Sequence, residues 1–104
     1  LDVQTVLAAG DLVALTATAG AITDSSAGET DNITAQDVAL RASTGIGAAS
    51  TDTDDLDVAV TTLAATTATG DISISDDGTL DITTVDGLAG ARTPAHGSAV
   101  IDAR

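Results

Sequence analysis

The chain has no Phe, Tyr, Trp, Met or Cys, so any core must be built from Ala, Val, Ile and Leu. Aromatic side chains supply much of the buried area of an ordinary globular domain. Without them a spherical interior is hard to fill. A narrow, layered, repetitive interior needs only short aliphatic side chains, and a stack of β-coils provides one. The sequence therefore predicts an all-β chain in which residues 1–104 form a single repeat segment.

Composition narrows the choice further. Ala, Thr, Asp and Gly account for 64 of the 104 residues, a bias found in disordered segments and in repeat proteins. Disorder fits the net charge of −13. It does not fit the positive mean hydropathy or the regular spacing of Val, Ile and Leu, so an ordered repeat is the better reading. Fifteen Asp and one Glu face only Arg41, Arg92 and Arg104, with no Lys. Nucleic acid and anionic lipid both require clustered cations and would be repelled. The acidity serves solubility, or suits surroundings rich in salt or divalent cations, including a salt-adapted source, where screening removes self-repulsion. Asp in place of Glu favours turns over helix. No disulfide is possible, and no stretch approaches the roughly 20 apolar residues of a membrane-spanning helix. The start at Leu1, with no charged leader or long apolar run after it, is expected of a piece of a longer protein.

Short alternating apolar runs recur along the chain: Leu12-Val13-Ala14-Leu15, Val38-Ala39-Leu40, Val58-Ala59-Val60, Ile72-Ser73-Ile74, Leu80-Asp81-Ile82 and Val100-Ile101. Each is of strand length and most are β-branched, with Gly, Asp, Asn or Ser nearby. Helix competes where Ala is dense, over residues 62–68, but the paired threonines there oppose it. Two echoes support strands. Val13-Ala14-Leu15, Ala17 and Gly20 return as Val38-Ala39-Leu40, Ala42 and Gly45, an offset of 25. Leu1-Asp2-Val3, Leu7-Ala8-Ala9 and Gly10-Asp11-Leu12 return as Leu56-Asp57-Val58, Leu63-Ala64-Ala65 and Gly70-Asp71-Ile72, with the offset drifting from 55 to 60. Such periods are those of solenoid coils.

A period of 20–25 residues gives about four to five coils, stacked as parallel strands about 4.8 Å apart. Glycines at positions 10, 20, 45, 70, 78, 87 and 90 suit corners with positive φ, and Asp77-Gly78 and Asp86-Gly87 are turn signals. Residues 24–32 and 50–55 are expected as polar excursions, and residues 89–98, with Pro94 and His96, as the least regular stretch. Neither terminus carries a polar cap. The segment is therefore expected to be uncapped at both ends, stacking axially on itself or on adjacent repeats.

The strings Gly10-Asp11-Leu12-Val13-Ala14-Leu15-Thr16-Ala17, Ala35-Gln36-Asp37-Val38-Ala39-Leu40-Arg41-Ala42, Thr44-Gly45-Ile46-Gly47, Gly70-Asp71-Ile72-Ser73-Ile74 and Leu80-Asp81-Ile82-Thr83-Thr84-Val85-Asp86-Gly87 resemble the repeats of filamentous-haemagglutinin-like exoproteins. These are large bacterial surface and secreted adhesins. The resemblance covers most of residues 7–90 and fades after Gly90. It implies a right-handed parallel β-helix shaft outside the cell, exported by the two-partner route, and the handedness agrees with the rule for parallel crossovers. The family's secretion module is absent from these residues.

Few residues suggest chemistry. Asp52, Asp54, Asp55 and Asp57 form the densest carboxylate cluster, of the oxygen-ligand type that Ca²⁺ prefers. Neither the EF-hand pattern nor the glycine-rich β-roll pattern accompanies them, so a solvated acidic loop is the plainer reading. Asp76-Asp77 reads as a turn. Paired carboxylates also serve glycosidases, but no aromatic platform is available to hold a sugar. His96 has no acid, nucleophile or oxyanion partner in the pattern, which leaves it a surface residue. Thr16-Ala17-Thr18 and Thr66-Thr67-Ala68-Thr69 are too irregular for an ice-binding hydroxyl array, and Asn32-Ile33-Thr34 matches the N-glycosylation acceptor pattern. The sequence thus points to a non-enzymatic structural segment of an extracellular fibre or adhesin shaft, with no cofactor. Its carriers are Val13, Leu15, Val38, Leu40, Val58, Val60, Ile72, Ile74, Leu80 and Ile82. The alternative is a surface module in which the acidic loops hold Ca²⁺ or a host ligand.

Overall fold

The computed structural model describes residues 1, 3, 5–24, 31–47, 56–76, 80–93 and 99–103. The described residues contain strands and turns but no helix. The strands are β1 (Val6–Ala17), β2 (Ala21–Ile22), β3 (Ile33–Ala42), β4 (Gly45–Ile46), β5 (Leu56–Ala59) and β6 (Thr62–Thr67). They continue as β7 (Ile72–Asp76), β8 (Asp81–Ile82), β9 (Thr84–Val85), β10 (Leu88–Ala89), β11 (Ala91–Arg92) and β12 (Ala99–Ala103). The Ala-rich stretch that left helix open is therefore strand β6. Its threonines, stiff at χ1, favour the pleat.

Ten strands make one sheet, not closed into a barrel, in which every pairing is parallel. The pairings fall into three groups. β2, β4 and β7 form the first. The beginnings of β1 and β3, with β5 and the end of β7, form the second. The ends of β1 and β3, with β6 and then both β8 and β11, form the third. β12 lies along β7 from Ala99 opposite Ile72 to Ala103 opposite Asp76, continuing the first two groups.

The third group realises the 25-residue echo residue by residue. Val13 faces Val38, which faces Leu63, and Leu15 faces Leu40, which faces Ala65. The longer echo fails. Leu63 is buried in this inward column, whereas Leu7 pairs with Thr34 in another group and points outward. Likewise Ile72 belongs to the first group and Leu12 to the third. Two steps of 25 residues place 50, not 55–60, between equivalent positions.

All three groups contribute to one aliphatic cluster, which includes Ile22, Ile46 and Ile72 from the first, Ile33, Leu56 and Val58 from the second, and Val13, Val38, Leu40 and Leu63 from the third. Of the ten anticipated carriers, Val13, Val38, Leu40, Val58, Val60, Ile72 and Ile74 are buried, and Leu15 and Leu80 pack against the cluster half-buried. Ile82 is in register with Leu63 yet exposed, because its other side has no strand among the described residues. One corner tolerates only glycine. A Cβ on Gly70 would lie 1.8 Å from the Thr44 carbonyl oxygen.

Candidate functional site

Of the residues singled out for chemistry, Asp57 and Asp76 fall among the described residues. Asp52, Asp54 and Asp55 lie outside the described residues, as do Asp77, Pro94 and His96. Asp57 is in β5 and buried. Its backbone N–H donates to Asn32 Oδ1 at 2.8 Å, and its carbonyl accepts from the Asn32 N–H at 2.7 Å. Asn32 Nδ2 donates to the Val3 carbonyl at 3.0 Å. One amide side chain thus ties three successive strand levels together. An asparagine so enclosed offers no amide to a glycosyltransferase in the folded chain, so the Asn32-Ile33-Thr34 pattern is structural. Asp76 is also buried, at the end of β7, where Oδ2 accepts the Val60 N–H at 3.2 Å. At these corners buried polar side chains serve the backbone: the Asn32 amide accepts the Asp57 N–H, and the Asp76 carboxylate accepts the Val60 N–H. Among the described residues no three His, Cys, Asp or Glu side chains converge as a cation site.

Outside the core, the third group carries an unforeseen feature. Leu63 faces Ile82 and Ala65 faces Ala91, so the single residue Ala64 stands opposite eight residues, 83–90. These leave the sheet as a hairpin, with β9 antiparallel to β10. The stem keeps the ladder whole. Thr83 N–H donates to the Leu63 carbonyl at 3.1 Å, and Ala65 N–H donates to the Gly90 carbonyl at 3.0 Å. Asp86 and Gly87 have φ of 51° and 76°, as a two-residue hairpin turn requires. Val85 and Leu88 fold back over Ala39 and Ala64, making a second small apolar cluster on the outer face. Arg41 closes it, donating from Nη2 to the Asp86 carbonyl at 2.8 Å and from Nη1 to Asp86 Oδ2 at 3.4 Å. The sequence held the signal, since Val85-Asp86-Gly87-Leu88 sets apolar residues on either side of a turn dipeptide. What it lacked was the destination.

Beside Arg41 an open groove of about 220 Å³ runs past Thr16, Thr18 and Ser43. The outward column here reads Thr16, Arg41, Thr66, so the threonines form no continuous hydroxyl array. Beyond the intervening Ala14, Ala39 and Ala64, Leu12, Asp37, Thr62 and Asp81 share a column, in which the Thr62 hydroxyl donates to Asp37 Oδ1.

The remaining candidate surface is the pair of sheet edges. Among the described residues β1 pairs only with β3, and β8, β11 and β12 each have one partner. Among the described residues, the large exposed apolar side chains are Leu1 (55% exposed), Leu7 (75%), Leu12 (48%) and Ile82 (48%). The first three lie on the opening level and the fourth on β8. Every level between them is free of such residues. No protein-family model, curated protein or solved structure matches this chain.

Proposed function

We propose that this chain is a structural, non-enzymatic segment of an extracellular β-solenoid, a right-handed parallel β-helix of four to five coils forming the shaft of a surface adhesin or a secreted fibre. The observation that carries the reading is the parallel register at a constant offset of 25 residues, with Leu12 to Ala17 opposite Asp37 to Ala42 and these opposite Thr62 to Thr67. Parallel pairing at that period, with one aliphatic cluster shared by three strand groups, is the arrangement expected of stacked coils. Right-handedness follows from the strong preference of parallel crossovers. Stiffness follows from backbone ladders running along the stacking axis. The extracellular setting rests on the sequence resemblance to haemagglutinin-like repeats, as does the place within an adhesin.

The cysteine-free sequence makes the register testable. Asp37 and Thr62 face one another across β3 and β6, and neighbouring strands about 4.8 Å apart lie within disulfide reach. The Asp37→Cys/Thr62→Cys variant should form an intramolecular disulfide under mild oxidation, while Asp37→Cys/Thr66→Cys should not. Equal yields from the two would sink the shaft. The cellular setting is read by protease shaving of intact cells, where loss of the segment is expected and full protection refutes a surface location.

A further inference from the structure

We propose that Asp86-Gly87 is a site of spontaneous covalent modification, where aspartate isomerises to isoaspartate when the hairpin lifts, and that Arg41 is the residue that holds the reaction off. Asp-Gly is the pair most open to this chemistry, because glycine puts no side chain beside its attacking nitrogen. The sequence holds two such pairs, Asp77-Gly78 and Asp86-Gly87, and the second lies among the described residues. The inference needs the hairpin and not the shaft reading, and each can fall without the other.

The step balances with water as its only co-reactant. The Gly87 nitrogen gives up its proton and bonds to Asp86 Cγ, and one carboxyl oxygen leaves as water, closing a succinimide ring. Water then reopens the ring at one of its carbonyls. Opening at Cγ restores aspartate. Opening at the main-chain carbonyl leaves Gly87 joined through Cγ, so the backbone is lengthened by an atom and the α-carboxylate is free. One water leaves and one returns, with no change in mass.

Both reacting groups are within reach of water. The Asp86 side chain is 47% exposed, and nothing lies within 4 Å of the place where a Gly87 Cβ would stand. What opposes the reaction is Arg41. Its Nη2 donates to the Asp86 carbonyl at 2.8 Å, and its Nη1 donates to Asp86 Oδ2 at 3.4 Å. The Asp86 carbonyl and the Gly87 N–H share one rigid peptide plane. Fixing the carbonyl therefore fixes the nitrogen, which must turn toward Cγ to attack. The second bond tethers the carboxylate at the same time. Val85 and Leu88, docked over Ala39 and Ala64, hold the turn between them. Nucleophile and electrophile are thus pinned by one side chain while the hairpin stays down.

The product cannot return to that position. Val85 pairs with Leu88 across a two-residue turn with φ of 51° and 76°, a geometry that an added backbone atom destroys. Isomerisation makes a reversible lift permanent and leaves Ala39 and Ala64 uncovered, a one-way switch on the outward face.

The test ages the Ala64→Cys chain and its Arg41→Ala derivative at neutral pH and body temperature under a reductant, with circular dichroism to confirm that the stack persists. Methylation by an L-isoaspartyl methyltransferase counts isoaspartate. Endoproteinase Asp-N cuts before aspartate but not before isoaspartate, so a missed cut at position 86 or 77 locates it. Asp86 should isomerise on the order of 30-fold more slowly in the folded chain than in the denatured one, the shift given by docking two aliphatic side chains. Arg41→Ala should raise the folded rate by about two- to fivefold and leave the rate at Asp77 unchanged. Gly87→Ala should lower the rate although it loosens the turn, since a methyl group beside the nitrogen hinders ring closure. In aged samples the fraction of Cys at position 64 that reacts at once with a maleimide should equal the fraction of isoaspartate at position 86. Equal rates in the chains with and without Arg41, or acceleration at both Asp-Gly pairs, would remove Arg41 as the guard. Isoaspartate at position 86 with Cys at position 64 still protected would sink the switch. An Asp86 that stays intact in folded Arg41→Ala while isomerising freely in denaturant would overturn the site itself.

Discussion

Ala14 and Ala64 occupy one outward column two levels apart, with Ala39 between them. Ala14 is exposed, whereas Ala39 and Ala64 are fully buried under Val85 and Leu88. Residue type, strand parity and local sequence are nearly the same at the two ends of this column. The difference comes from residues 83–90, which rise from the level beyond Ala64 and fold back over two levels but not the third. In a parallel stack the inward face is settled by alternation. The outward face is settled by whatever the loops lay across it, and that is decided from a distance.

The largest expected effect calibrates the inward side. Val38 is fully buried, adjacent in sequence to Ala39 but on the opposite face. Val38→Asp places an unpaired carboxylate among aliphatic side chains and should cost at least about 4 kcal/mol. That is a large share of the roughly 5–15 kcal/mol that holds a small domain folded. The β-signal in far-ultraviolet circular dichroism should collapse at room temperature. A wild-type spectrum would remove Val38 from the core.

A charge under the hairpin should cost less, for a reason the comparison supplies. Ala64→Asp can escape burial if the hairpin lifts away, so its penalty is capped by the docking of Val85 and Leu88. Burying that pair is worth about 2–4 kcal/mol at most. Ala14→Asp, one column end away and already in water, should change stability by no more than about 0.5 kcal/mol. Urea denaturation of the two variants reads the difference directly. Equal midpoints would mean that the hairpin does not cover Ala64 in solution.

How much of this was legible in the sequence follows the same division. The echo from Val13 to Val38 gave the register of the third group, because alternating aliphatics at a fixed offset have few other uses. Asp86-Gly87 announced its turn, because few dipeptides accept positive φ twice in succession. The echo from Leu7 to Leu63 misled. Each corner resets which residues point inward, so two leucines in like strings can face opposite ways, one exposed and one buried. Polar side chains place Asn32 in a polar excursion, Asp57 in a solvated acidic loop and Asp76 in a turn when the sequence is taken alone. Corners, however, leave backbone groups that need partners, and buried polar side chains meet that need. Nothing in a short polar string distinguishes a loop from such a corner. For the acidic cluster, the buried place of Asp57 in β5 was hidden by the three acids written beside it.

Thiol labelling sharpens the comparison without unfolding anything. Ala64→Cys should react with a small maleimide more slowly than Ala14→Cys, by the ratio of docked to lifted hairpin. If docking is worth about 2 kcal/mol, the slowing is about 30-fold, since 1.4 kcal/mol corresponds to tenfold. Adding Gly87→Ala, which forces a side chain on φ of 76°, should weaken the turn by about 1 kcal/mol. Labelling of Cys at position 64 should then accelerate several-fold, with position 14 unmoved. Acceleration at both positions would point to loss of the whole stack, not of the hairpin.

The smallest effect belongs to Arg41, which holds the hairpin by two hydrogen bonds to Asp86. Arg41 and Asp86 are partly exposed, so the ion pair itself is worth at most about 1 kcal/mol and less in salt. The shorter bond goes to the Asp86 carbonyl and not to its carboxylate, so part of the hold survives removal of the acid. Arg41→Ala should therefore speed labelling at position 64 by about two- to fivefold, the equivalent of less than 1 kcal/mol. Asp86→Asn should speed it less, because asparagine accepts the same positive φ and the carbonyl remains. Raising NaCl should narrow the gap between wild type and Asp86→Asn while leaving most of the gap to Arg41→Ala. If Asp86→Asn proved the more damaging of the two, the carboxylate and not the backbone carbonyl would be the principal anchor.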